Sequence, residues 1–127
     1  MKKIFIIGAG QLGSRHLQAL KNITIPLDIN VIDPSKKSLD IAKQRYDSIK
    51  IIDNNNVSYY ESINDVDSLS IVDLVIIATA SNVRFQATIQ LLNKFTVKTI
   101  IFEKILFNKP ADYSKIHKLL KSNNIDA

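Results

Sequence analysis

Gly8-Ala9-Gly10-Gln11-Leu12-Gly13 holds all three glycines of a 127-residue chain. Every other turn is made without glycine, so the backbone here does something that a side chain would obstruct. Residues 3–7 before it, Lys-Ile-Phe-Ile-Ile, read as a buried strand, and residues 12–20 after it read as a helix. Strand, G-x-G-x-x-G and helix in that order are the dinucleotide-binding fingerprint. Gly8 is expected to make the tight turn, Gly10 to let the backbone approach a pyrophosphate, and Gly13 to let helix and strand pack closely. Backbone N–H groups at Gln11 and Leu12, with the positive end of the helix dipole, are then free for phosphates.

Working outward, residues 27–32 form the next apolar run, entered after Pro26 and closed by Asp33, 20 positions beyond Gly13. The fingerprint expects a carboxylate there to bind the adenosine ribose. A carboxylate also repels a 2′-phosphate, which favours NAD, with NADP as the alternative because Ser35, Lys36 and Lys37 follow at once. The competing reading of Asp33-Pro34-Ser35 is a strand exit and helix cap. Helical spacing covers 38–46, with Leu39, Ala42 and Tyr46 inward. A third strand is expected at 57–60, with 49–52 competing for the role, and Ser62 with Asp65 can cap a short turn.

Residues 72–78 are almost wholly apolar and read as a central strand. They end in Thr79-Ala80-Ser81-Asn82, a polar exit at the edge where such sheets bind ligands. A helix to residue 92 follows, with Val83, Ala87 and Leu91 on one side, then a fifth strand at 97–102 ending in Glu103-Lys104, and a last helix at 112–120. This is an α/β Rossmann-type doubly wound parallel sheet, order 3-2-1-4-5, with helices on both faces and residues 1–127 as one dinucleotide-binding domain. In the first helix Leu12, His16 and Leu20 share a row, so His16 is expected to be packed and hydrogen-bonded within it.

Composition excludes several classes. The absence of cysteine and the presence of only two histidines argue against a metal site. No apolar run reaches the roughly 20 residues of a membrane span, and the N-terminus lacks a signal-peptide pattern, so a cytoplasmic protein is expected. The net charge of +5 is concentrated in residues 94–127, where seven lysines face three acidic residues. Lys115, Lys118 and Lys121 recur every third residue as one solvated helix face, in a segment with no arginine and little interleaved aromatic surface. Nucleic acid is not an expected partner.

With G-A-G-x-x-G-x-x-H at 8–16, A-T-x-x-N at 78–82 and Glu103-Lys104 after the fifth strand, the chain resembles the Gfo/Idh/MocA oxidoreductases. The resemblance covers the whole chain but only the N-terminal half of such an enzyme. It implies a dehydrogenase using NAD or NADP on a secondary alcohol of a sugar, sugar nucleotide or cyclitol. Glu103 is then expected near the nicotinamide ribose and Lys104 beside the transferred hydride. An ammonium there stabilises a developing alkoxide and steers its proton. Ile105 stands where the family has proline, and Ala80 and Arg84 where a T-P-x-x-x-H pattern has proline and histidine. The family's substrate domain, through which its members usually form dimers, is absent from these residues, and a chain cut at the domain junction is the expectation. The alternatives are a non-catalytic NAD(H)-binding sensor domain and a degenerate domain kept as an interaction module.

Overall fold

A computed structural model describes residues 1–67, 71–103 and 109–127. Its five strands are β1 (Lys2–Ile7), β2 (Leu27–Ile32), β3 (Asn56–Tyr60), β4 (Val72–Ile77) and β5 (Val97–Phe102). Four helices alternate with them: α1 (Gln11–Leu20), α2 (Lys36–Ser48), α3 (Ser81–Lys94) and α4 (Pro110–Ser122). A single 3-10 turn at Ile63–Asp65 replaces the helix between β3 and β4, capped by the Ser62 hydroxyl as its spacing suggested. The sheet is parallel throughout, in the order β3-β2-β1-β4-β5.

The apolar runs become strands because β1, β2 and β4 are covered on both faces. One core layer sets Ile4, Ile6, Ile29 and Val31 against Leu17 and Leu20 of α1 and Leu39, Ala42 and Tyr46 of α2. The opposite layer sets Phe5, Val75, Ile77 and Ile100 against Leu91 of α3 and Phe95 just after that helix. Phe5 and Phe95 meet edge to face, with centroids 4.9 Å apart. Residues 49–52 form no strand; Ile52 is 99% exposed. Lys115, Lys118 and Lys121 lie on the exposed side of α4, whose inward anchor is Ile116. Among the described residues, no helix is long and apolar enough to cross a membrane.

Register sets up the ligand-binding edge. Ile7 pairs with Ile32 and Ile77, Ile32 with Tyr60, and Ile77 with Phe102. The five strand ends are therefore level, and the ladder continues one residue further. Gly8 donates to the Ile32 carbonyl (2.8 Å), Ala78 to Ile7 (2.8 Å), Asp33 to Tyr60 (3.0 Å) and Glu103 to Ile77 (3.2 Å). Gly8 and Glu103, 95 positions apart in sequence, thus stand in one row. At the outer edge Asp126 forms an isolated parallel bridge with Thr99 of β5.

Candidate functional site

The three glycines do three different jobs. Gly8 has φ +100°, and a Cβ on it would lie 2.8 Å from the Ala78 carbonyl carbon and the Thr79 nitrogen. A Cβ on Gly13 would sit 1.8 Å from the Gly8 carbonyl oxygen, so the first turn of α1 rests directly on the turn it leaves. A Cβ on Gly10 would meet nothing within 4 Å. The space above Gly10 is thus open to a ligand and would be narrowed by any side chain. Gly10 also opens α1 without a side-chain cap, and the first turn carries no acidic residue. The first intrahelical bond runs from Ser14 N–H to the Gly10 carbonyl (2.9 Å). The N–H groups of Gln11, Leu12 and Gly13 therefore have no intrahelical partner, as at any helix start, and stand at the end of α1 that Gly10 opens.

Asp33 lies beside that turn. Its Oδ2 accepts from the Ala9 N–H at 2.7 Å and its Oδ1 from the Ser35 N–H at 2.8 Å. The carboxylate is thereby fixed against the glycine loop while keeping lone pairs for a ribose hydroxyl. Ser35 accepts from the Ser38 N–H and caps α2, so the strand-exit and capping reading also holds, through the neighbouring residue. Lys36 opens α2 and is exposed. Beyond β4, Thr79 and Ala80 lead into α3, which begins with Ser81 and Asn82. A cavity of about 360 Å³ opens here, bounded by Gly8, Ile32, Pro34, Thr79 and Val83. The Thr79 hydroxyl oxygen is buried and has no hydrogen-bond partner among the described residues. An open backbone cradle, unpaired helix N–H groups, a fixed carboxylate and an orphaned hydroxyl along one edge fit a dinucleotide.

At the other end of the row stands Glu103. The Nε2–H of His16 donates to its carboxylate, joining α1 to the exit of β5. This corrects the expected packing of the helix. The inward face of α1 is Gly13, Ser14, Leu17 and Leu20, whereas Leu12 is 54% exposed and the His16 side chain is one-third exposed. The row Leu12–His16 instead looks over the sheet edge, because the helix starts at that edge and its first turns overhang the crevice. Lys104 and Ile105 lie outside the described residues.

The pattern reading of α3 also needs correction. Its inward residues are Arg84, Thr88 and Leu91; Val83 is half exposed and faces the cavity. Arg84 is only 3% exposed. Its guanidinium donates to the Thr79 carbonyl at 2.6 Å and the Glu103 carbonyl at 2.9 Å, so one fork ties the exits of β4 and β5. Burial pushes its pKa below the ordinary arginine value, opposed by the Glu103 carboxylate. Sequence reasoning marked Arg84 as a departure and not as a site residue. The available signal was the 84-88-91 helical spacing, which places Arg84 on one face with Leu91.

Comparison with known proteins agrees with this geometry. The model of the GFO_IDH_MocA group, described as oxidoreductase family, NAD-binding Rossmann fold, matches residues 2–125. No curated protein matches. Among solved structures, the WlbA dehydrogenase from Bordetella pertussis in complex with NADH and UDP-GlcNAcA superposes with a TM-score of 0.75 at 14% identity, covering 98% of this chain and 34% of that one. An NAD-binding protein from Listeria innocua gives 0.70 at 25% identity, with 98% and 34% covered. Myo-inositol 2-dehydrogenase from Lactobacillus plantarum gives 0.66 at 22%, with 96% and 33% covered. The chain spans about a third of the length of each of these proteins.

Proposed function

The chain belongs to the Gfo/Idh/MocA oxidoreductase family, as an NAD-binding Rossmann domain, and from that premise we propose that it is the cofactor-holding part of a dehydrogenase acting on a secondary alcohol of a sugar, sugar nucleotide or cyclitol. The observation that carries the reading is the open space over Gly10 beneath an uncapped helix start, with Asp33 fixed beside it. Gln11, Leu12 and Gly13 offer N–H groups to a pyrophosphate, Asp33 takes the adenosine ribose, and Thr79 to Asn82 form the wall on the far side. Glu103, oriented by His16 and by the Arg84 fork on its backbone, faces the nicotinamide half. A nicotinamide bound there supplies or receives the hydride. Lys104, next in sequence, is assigned the alcohol oxygen, where an ammonium stabilises the developing alkoxide. The substrate class is supported by the UDP-GlcNAcA bound in the Bordetella protein and the inositol activity named for the Lactobacillus one. NAD is assigned over NADP because Asp33 holds a negative charge where a 2′-phosphate would lie. The test is calorimetric titration of NADH into the wild type and Gly10→Val. Binding by the first and none by the second is expected; equal affinity in both would remove the glycine turn from the site.

A further inference from the structure

The amino ends of the strands form a second face, opposite the carboxyl-end crevice. Along the order β3-β2-β1-β4, residues 51–52 lead toward β3, Ile25 and Pro26 enter β2, Met1 enters β1, and Asp73 lies at the start of β4. Ile23, Ile25, Ile51 and Ile52 line one groove on this face. Met1, Ile25 and Pro26 line the next, an open depression of about 520 Å³. Ile25 belongs to both, so the apolar surface is continuous. Ile52, 99% exposed, projects from a loop that is pinned at both ends. The Lys21 ammonium donates to the Ile49 carbonyl at 2.7 Å, and the Asn55 side chain accepts from the Leu27 N–H at 3.0 Å and donates to the Tyr46 hydroxyl at 3.1 Å. A fixed loop thus holds an apolar knob out in water, where its hydration is unfavourable.

We propose that this face binds a second copy of the chain, in a two-fold dimer where Ile52 of each copy enters the depression between Met1 and Pro26 of the other. Three observations select this occupant. Knob and depression lie on one face, on either side of Ile25, so a two-fold axis through Ile25 seats both knobs at once and closes the pair. Each groove is lined by one lysine and one aspartate, and these are already paired within the chain: Lys2 with Asp73 and Lys21 with Asp53, both at 3.9 Å. The side chains lining each groove therefore sum to zero charge. They give no hold to a nucleic acid or a charged peptide, and two copies meet there without like-charge repulsion. Met1 and the four isoleucines expose on the order of 600 Å², most of the ~800 Å² that each partner contributes to a standard interface, and the polar rim adds the rest. In this arrangement the carboxyl-end crevices of the two copies face away from each other, and both stay open.

Sedimentation equilibrium of the purified chain, from about 1 μM to about 1 mM, tests this. The wild type is expected to pass from 14.3 kDa to twice that mass and no higher, with its midpoint in the micromolar range. Ile52→Asp places a charge at both ends of the interface and should weaken the dimer about a hundredfold or more. Ile52→Leu should dimerise as the wild type does. The substituted side chain is exposed, and an unchanged circular dichroism spectrum checks that each variant is folded. Raising the salt from about 0.05 M to about 0.5 M should change the wild-type association by less than about twofold, because apolar burial carries it. A monomer at every concentration overturns the inference and leaves the face to a different protein. Undiminished association of Ile52→Asp, masses growing beyond the dimer, or steep loss of association with salt overturns it too, the last assigning the contact to the lysines of α4.

Discussion

Gly13 and Gly10 are both glycines of one hexapeptide, yet they should fail in different ways. A methyl group on Gly13 collides with a carbonyl oxygen that the backbone itself holds in place. Gly13→Ala is therefore expected to cost about 3 kcal/mol or more and to lower the unfolding temperature by about 10 °C. A side chain at Gly10 enters open space at an extended backbone position, so Gly10→Val should unfold within a few degrees of the wild type while losing the cofactor. Comparable thermal losses in the two would show that the space over Gly10 is not free. Asp33 joins stability to specificity, because its carboxylate anchors both the Ala9 and the Ser35 N–H groups. Asp33→Ser should shift the NAD-to-NADP affinity ratio toward NADP by about 1–3 kcal/mol, through the lost contact and the relieved repulsion. Titration with both dinucleotides measures it. A wild type that already favours NADP would mean that Lys36 and Lys37 govern the pocket.

Elements are held in register at both ends of the sheet, by different means. At the carboxyl ends the Arg84 fork and the His16–Glu103 pair join β4, β5 and α1. At the amino ends Asp73 of β4 is the junction. Its carboxylate accepts from the Lys3 backbone N–H at 2.9 Å and pairs with the ammonium groups of Lys98 (3.2 Å) and Lys2 (3.9 Å). The Lys3 N–H chiefly, with Lys98 and Lys2, holds its pKa below the ordinary 3.8, against a smaller opposing effect of burial. A depressed carboxyl pKa stabilises the fold above the unfolded-state value and loses that contribution as pH falls through the folded-state value. Asp73→Asn should therefore be less stable than the wild type by a constant margin from neutral pH down to about pH 4, and the margin should narrow below it. Urea unfolding between pH 7 and pH 2.5 reads this directly. A margin still undiminished at pH 2.5 would remove the Asp73 charge as its cause.

For the molecule as a whole, binding and turnover should separate. Hydride transfer needs the alcohol carbon held about 3–3.5 Å from its acceptor, with an exit for the proton and exclusion of water. On the proposed reading the edge takes a cofactor along its length, and the described residues form no enclosed chamber for a polyol over Glu103. The 127-residue chain is expected to bind NADH and to produce none from inositol or hexose alcohols. A longer protein carrying a substrate domain should be active, with Lys104→Ala lowering its turnover far more than its NADH affinity. Steady NADH production by the short chain, or undiminished turnover in the lysine variant, would refute this. What the sequence by itself determined was everything that depends on neighbours along the chain: the alternation of apolar runs and helical spacing, the order of the sheet, the glycine turn and the carboxylate after β2. Those signals are local, because a strand's burial and a turn's steric demand are written in a few adjacent residues. Tertiary structure alone decided how the strand ends line up, since register is set by pairing between strands far apart in sequence. It also decided the roles of His16 and Arg84. Helical spacing put His16 in an apolar row, because periodicity counts residues and cannot see that a helix overhangs a crevice, and the family pattern marked Arg84 only as a departure. Their partners, Glu103 and the Thr79 and Glu103 carbonyls, arrive from other elements only once the sheet is assembled, and only then does burying an arginine satisfy its charge.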